Sequence, residues 1–76
     1  MKVVLDAMKM QTREEAHVYL KDALELPEYY GGNLDALYDC LSEMGQLEVE
    51  VQNMNDDNKY AALCMKVMRA AGVVLV

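Results

Sequence analysis

Residues 26–41 read LPEYYGGNLDALYDCL, and this stretch contains the features that decide the fold. Pro27 pushes the residue before it out of helical geometry, so a helix that precedes it is predicted to stop there. Gly31 and Gly32 permit backbone conformations and close approaches that other residues resist, which predicts a loop. Asn33 is a favourable N-cap. The stretch therefore predicts the end of one helix, a loop and the start of a second helix.

Each of these two predicted helices carries an apolar face. The first is expected to begin at Thr12, because Thr12 and Glu15 form a capping box in which each side chain satisfies a backbone N–H. The second is expected to end at Gly45. Apolar residues at helical spacing define the inward faces, with Ala16, Leu20, Ala23 and Leu24 on the first helix and Leu34, Leu37, Leu41 and Met44 on the second.

Three short segments around these helices are predicted to be strands. Residues 2–5 form a mainly apolar run that suits a buried strand. Residues 47–51 alternate apolar side chains with glutamate, which predicts a half-exposed strand at a sheet edge. Residues 73–76 are all apolar, as expected of a parallel strand that is covered on both faces.

A third helix is predicted between the last two strands. Asn55 or Asp56 is expected to cap its start, and Gly72 to follow its last turn. Its predicted inward face consists of Tyr60, Cys64, Val67, Met68 and Ala71. Because strands separated by helices pair in parallel, the predicted fold class is α/β, with a three-stranded parallel sheet packed by about three helices. Without a repeat or linker in the sequence, one domain over residues 1–76 is expected.

The distribution of charge indicates what kind of partner the protein could bind. The net charge is −6, and no lysine or arginine lies between Lys21 and Lys59. A solvated acidic surface that promotes solubility is the ordinary interpretation of such a region. The same field also attracts a basic partner and repels nucleic acid, so direct binding of nucleic acid is not expected. The region contains ten acids: Asp22, Glu25, Glu28, Asp35, Asp39, Glu43, Glu48, Glu50, Asp56 and Asp57.

The start of the second helix is the candidate binding surface. Asp35 and Asp39 are four residues apart and project from one face, opposite the leucines. The loop that precedes them contains two tyrosines, which supply rigid, amphipathic contact area, although one of the pair is expected to belong to the core. The predicted partner-binding residues are Tyr29, Gly31, Asn33, Leu34, Asp35, Tyr38, Asp39 and Ser42.

Residues 26–41 also resemble the central motif of barstar-like ribonuclease inhibitors, almost throughout their length. The resemblance extends more weakly toward the N-terminus and includes His17. It implies an intracellular inhibitor of a secreted, basic ribonuclease. The inhibitor is expected to be monomeric when free. In that interpretation Asp39 stands where a substrate phosphate binds, and Asp35 pairs with basic groups at the rim. Tyr29 would pack against the catalytic histidine, while Gly31 and Asn33 would contact the enzyme near its substrate pocket.

The sequence departs from the family pattern at several positions. Tyr38 stands where relatives typically carry tryptophan, and Met44 where an aromatic residue is common. Ala61 and Ala62 occupy the region in which the family carries an additional acid on its last helix.

Other functions receive less support from the sequence. An immunity or regulatory protein for a different basic toxin could use the same surface. A redox-sensing adaptor would use Cys40 and Cys64, which lack a Cys-x-x-Cys spacing. His17 is expected to be hydrogen-bonded and partly buried rather than catalytic, so no enzymatic activity, metal or cofactor is predicted. No signal peptide or membrane-length apolar segment is recognised, which predicts a cytoplasmic protein with reduced thiols.

Overall fold

The fold is described from a computed structural model, which covers residues 2–76. The elements follow the predicted order, and a short 3-10 turn at Ala7–Lys9 comes after the first strand. The strands and helices are β1 (Lys2–Asp6), α1 (Arg13–Ala23), α2 (Leu34–Glu43), β2 (Glu48–Gln52), α3 (Lys59–Ala70) and β3 (Val74–Leu75).

The three strands form one parallel sheet in the order β1-β2-β3, which confirms the predicted α/β class. Val3 lies opposite Val49, and Val49 lies opposite Leu75. The prediction that β2 is an edge strand is wrong, because β2 is the central strand. Its alternation has another cause: Val49 is buried in the core, whereas Glu48 faces the uncovered side of the sheet.

The outer strands show the same one-sided burial. The prediction that residues 73–76 are covered on both faces is wrong, since Val74 and Val76 are 55% and 65% exposed. The strand at the N-terminus is likewise only half buried, because Val4 is 50% exposed while Leu5 is fully buried. The buried strand residues belong to one core cluster with the helices, so the helices cover one face of the sheet and leave the other open.

Helix α1 begins as predicted but ends before Pro27. The Thr12 hydroxyl accepts a hydrogen bond from the Glu15 backbone N–H at 3.2 Å. The helix stops at Ala23, because Glu25 adopts a left-handed conformation with φ of 52° and the Leu26 N–H returns to the Lys21 carbonyl at 2.9 Å. The helix has therefore already ended when the chain reaches the proline, and the predicted stop was placed too late.

Helix α3 begins at a different cap from the two that were predicted. Asn58 is the N-cap, and its Oδ1 accepts from the Ala61 N–H at 3.2 Å. The predicted Asn55 instead forms the turn before the helix, where its Oδ1 accepts from the N–H groups of Asp57 and Asn58. Gly72 follows the helix with φ of 94°, as its predicted position requires.

The core lies between the covered face of the sheet and the three helices. It contains buried members of all three predicted helix faces: Ala16, Leu20, Leu24, Leu37, Leu41, Cys64 and Met68. Among the described residues, no helix combines the length and the apolar character that crossing a membrane requires.

Candidate partner-binding surface

Helix α2 presents the candidate surface because its ends and its buried side are fixed. Asn33 caps the helix, with Oδ1 accepting from the Ala36 N–H at 2.8 Å, as predicted. Leu37 and Leu41 are buried in the core, which fixes the rotation of the helix about its axis. The opposite side of α2, which carries the two aspartates, therefore faces solvent.

Both predicted aspartates are exposed, and neither forms an ion pair within residues 2–76. Asp35 lies in the first turn of α2, where the helix dipole favours a carboxylate. Asp39 follows one turn later, and both side chains lie on the exposed face. Within residues 2–76, the ion pairs are Lys2 with Glu50 and Lys21 with Glu28, so neither aspartate is paired with a basic side chain of the chain. The structure thus places two free negative charges side by side.

The remaining predicted surface residues fall into two groups. Tyr29 and Tyr38 are 80% and 44% exposed, and the Ser42 hydroxyl donates to the Tyr38 carbonyl at 2.8 Å. Gly31 is also exposed, whereas Asn33 and Leu34 are partly buried. Asn33 is already engaged as the helix cap, and Leu34 packs against the core. The eight residues therefore lie on α2 and on the loop before it, and their exposure is unequal.

A buried histidine holds the loop that leads into this surface. His17 on α1 is 4% exposed, and its Nδ1 forms a hydrogen bond with the hydroxyl of Tyr30 in the loop. Its Nε2 lies 2.6 Å from the hydroxyl of Tyr60 on α3. We call His17, Tyr30 and Tyr60 the histidine clamp. The clamp joins α1, the loop and α3, and so fixes the loop at Tyr30, the residue that follows the exposed Tyr29.

Burial sets the protonation of the three clamp residues. Burial lowers the pKa of His17, and the nearby positive charge of Arg13 lowers it further. Burial raises the pKa of Tyr30 and that of Tyr60. At neutral pH the three groups are therefore uncharged. One ring nitrogen of neutral histidine donates and the other accepts, so one tyrosine hydroxyl donates to the ring and the other accepts from it.

The sequence predicted His17 as a hydrogen-bonded, partly buried residue; the structure confirms the hydrogen bonds and buries the side chain more completely than predicted. The sequence did not identify Tyr60 as its partner, nor Arg13 as a neighbour of Asp35. Arg13, Asp35 and Tyr60 line one groove at the edge of the candidate surface. These residues are far apart in the chain, so no local spacing could have grouped them.

The cysteines do not form a reactive centre with His17. Both ring nitrogens of the histidine are occupied by tyrosine hydroxyls. Burial raises the pKa of Cys64 to about 12 and also raises that of Cys40, so both thiols stay protonated at neutral pH. In the described part of the chain, no group of three or more histidine, cysteine, aspartate or glutamate side chains is arranged to hold a metal ion.

The fold and this surface define a small α/β protein whose distinctive feature is an acidic face on a capped helix. The family described as Barstar (barnase inhibitor) matches residues 1–72, nearly the whole chain. The chain therefore belongs to the barstar family, which confirms the resemblance seen in residues 26–41.

One curated relative is similar over part of its length. It is a Bacillus subtilis (strain 168) protein named "Putative ribonuclease inhibitor YrdF", and it is 49% identical to this chain over 41 residues. The match covers 54% of this chain and 45% of the relative. The matched part is thus about half of each protein.

Proposed function

We propose that this protein inhibits a secreted ribonuclease by inserting its acidic loop and helix into the enzyme's active site. The observation that carries the proposal is the pair of exposed, unpaired carboxylates, Asp35 and Asp39, on the capped helix α2. Membership of the barstar family and the name of the Bacillus relative support the same role.

The proposed mechanism is mimicry of the RNA backbone. A ribonuclease active site must bind phosphate, so it presents basic side chains and hydrogen-bond donors to an anion. Asp39 would occupy the position of a phosphate, and Asp35 would pair with a basic group at the rim. Tyr29, Gly31 and Tyr38 would contribute contact area around the two carboxylates. The protein would act as a plug and would perform no chemistry itself.

Two physical features favour tight binding in this arrangement. The histidine clamp and the Asn33 cap fix the loop and the helix before the partner arrives, so little conformational entropy is lost on binding. The net charge of −6 also favours encounter with a basic enzyme. Because exposed charges are screened over about 8–10 Å at physiological ionic strength, association should slow as salt is added.

Inhibition of a guanyl-specific secreted ribonuclease tests the proposal directly. Asp39→Ala should weaken inhibition by at least about 30-fold, which corresponds to the 2 kcal/mol that defines an interface hot spot. Asp35→Ala should weaken it less. Asp22→Ala is the matched control, since it removes one exposed carboxylate from α1 and should leave inhibition almost unchanged.

The outcomes of this assay separate the possibilities. Equal inhibition by the wild type and Asp39→Ala would refute the phosphate-mimic role. A larger effect of Asp35→Ala would mean that the two carboxylates exchange roles. Binding without inhibition would favour the alternative of an immunity or regulatory protein for another basic toxin.

A further inference from the structure

The acidic surface ends at a groove that contains a positive charge. The groove has a volume of about 300 Å³ and lies where the start of α1 meets the start of α2 and α3. Its lining residues are Arg13, Asn33, Leu34, Asp35 and Tyr60. Asn33, Leu34 and Asp35 belong to the predicted partner-binding surface, so the groove is continuous with it.

Arg13 is an exposed cation in this groove. Its positive charge contributes to the lowered pKa of His17 and offsets part of the rise in the pKa of Tyr60, so its guanidinium lies near the histidine clamp. It forms no ion pair within residues 2–76, and Asp35 in the same groove is also unpaired. The guanidinium is therefore available to a partner.

From this geometry we infer that Arg13 is a specificity-determining residue, which disfavours partners that place several cations opposite Asp35. The inference rests on the proposed function, because it concerns the charge of the same partner protein. A basic side chain that pairs with Asp35 enters the groove that holds Arg13. Asp35 compensates the charge of one such cation. A second cation in the groove is repelled by the guanidinium of Arg13.

The effect of Arg13 is local, which distinguishes it from general steering. Steering depends on the overall charge of −6. That charge changes by one unit whichever single lysine or arginine is replaced by a neutral residue. Repulsion between like charges in a contact region acts only on groups that the partner brings close. A partner that presents a carboxylate or a neutral acceptor beside its basic cleft fits the groove, because a guanidinium binds a carboxylate in a bidentate manner.

Barnase is a suitable probe, since the family description names it as a target and an enzyme that cleaves RNA needs a cationic cleft. The test measures its affinity and association rate for Arg13→Ala, Arg13→Glu and two controls. The controls are Lys9→Ala and Lys9→Glu, which change the net charge by the same amounts. Lys9 lies 5.6 Å from the centre of the Tyr19 ring and takes no part in the candidate surface.

At low ionic strength, Arg13→Ala should bind barnase about 3-fold more tightly than Lys9→Ala, as expected for an exposed charge in contact range. Arg13→Glu should exceed Lys9→Glu by about 10-fold, because it replaces repulsion by attraction. The gain should appear mainly as slower dissociation. A damaged fold cannot produce tighter binding, so this readout separates a specificity role from a structural one.

Two results would overturn the inference in distinguishable ways. If the wild type inhibits barnase and the Arg13 variants match their Lys9 controls, or bind more weakly, only the inference fails. If neither the wild type nor any Arg13 variant binds barnase, the proposed function for this target fails and the inference falls with it.

Discussion

Tyr29 and Tyr30 are neighbours in the chain, yet they occupy opposite environments. Tyr29 is 80% exposed and, with Cys40, Glu43 and Met44, lines a surface recess beside α2. Tyr30 packs against the core, and its hydroxyl bonds the buried ring of His17. The loop therefore has an outer side, available to a partner, and an inner side that holds the loop to the rest of the protein.

Helix α2, which follows the loop, also has one buried side and one exposed side. Leu37 and Leu41 are buried, while Asp35 and Asp39 face solvent. The contrast teaches that stability and recognition depend on different residues within one continuous segment. Substitutions on the two sides should consequently change different measurements, and this expectation can be tested.

The largest expected effect on stability is the loss that follows removal of the Tyr30 hydroxyl. Tyr30→Phe leaves the buried Nδ1 of His17 without its partner, which should lower the free energy of unfolding by about 1–3 kcal/mol. The matched change Tyr29→Phe should alter it by less than about 0.5 kcal/mol, because that side chain is exposed. Denaturant unfolding of the two variants measures both values.

Changes at Tyr29, which hardly affect stability, should affect inhibition. Tyr29→Ala should weaken inhibition of a secreted ribonuclease while leaving the unfolding midpoint unchanged. If Tyr29→Phe proved as destabilising as Tyr30→Phe, the division of the loop into two sides would be wrong.

The parts of the fold that the sequence predicted correctly depend on local rules. The caps at Thr12 and Asn33 and the glycine after each of the last two helices were placed correctly, because capping involves residues only three or four positions apart. The apolar stripes also predicted the buried helix faces. Strand-helix alternation was sufficient for the parallel sheet.

The errors arose where distant parts of the chain decide the outcome. The alternation of apolar residues with glutamate in β2 predicted an edge strand. Such alternation shows only that one face of the strand is covered. The central position of β2 is set by its pairing with β1 and β3. The run at residues 73–76 predicted two covered faces, but the helices cover only one. The histidine clamp and the Arg13 groove join residues from different elements, so only the folded structure brings them together.

The inner side of the loop should also make stability depend on pH. The pKa of His17 is lowered by folding from its ordinary value of 6.5, so the unfolded chain binds a proton more readily than the folded one. The contribution of His17 to stability should therefore be constant above pH 6.5 and fall as pH decreases below it, by no more than about 1.4 kcal/mol for each pH unit. Denaturant unfolding at pH 7.5 and at about pH 5.5 measures the loss.

The groups that face His17 are Arg13 on its own helix, Tyr30 in the loop and Tyr60 on α3. Burial raises the pKa values of both tyrosines, so they stay neutral in this pH range and the histidine itself should account for the dependence. His17→Gln is the control and should remove most of it. An unchanged pH dependence in His17→Gln would assign the effect to carboxylates instead.

The smallest expected effect concerns the entrance to the loop, where Glu25 ends helix α1 with φ of 52°. A residue with a side chain is strained in this conformation, whereas glycine adopts it readily. Glu25→Gly should therefore raise the free energy of unfolding by about 0.5–1 kcal/mol, after the entropy that glycine gains in the unfolded chain is subtracted. Glu25→Ala removes the same charge but keeps the Cβ atom, so it should show no such gain.

The two variants should inhibit equally, since they differ only in backbone strain on a residue outside the proposed surface. A gain in stability shared by Glu25→Ala and Glu25→Gly would instead come from the lost charge, and relief of backbone strain at Glu25 would then contribute nothing.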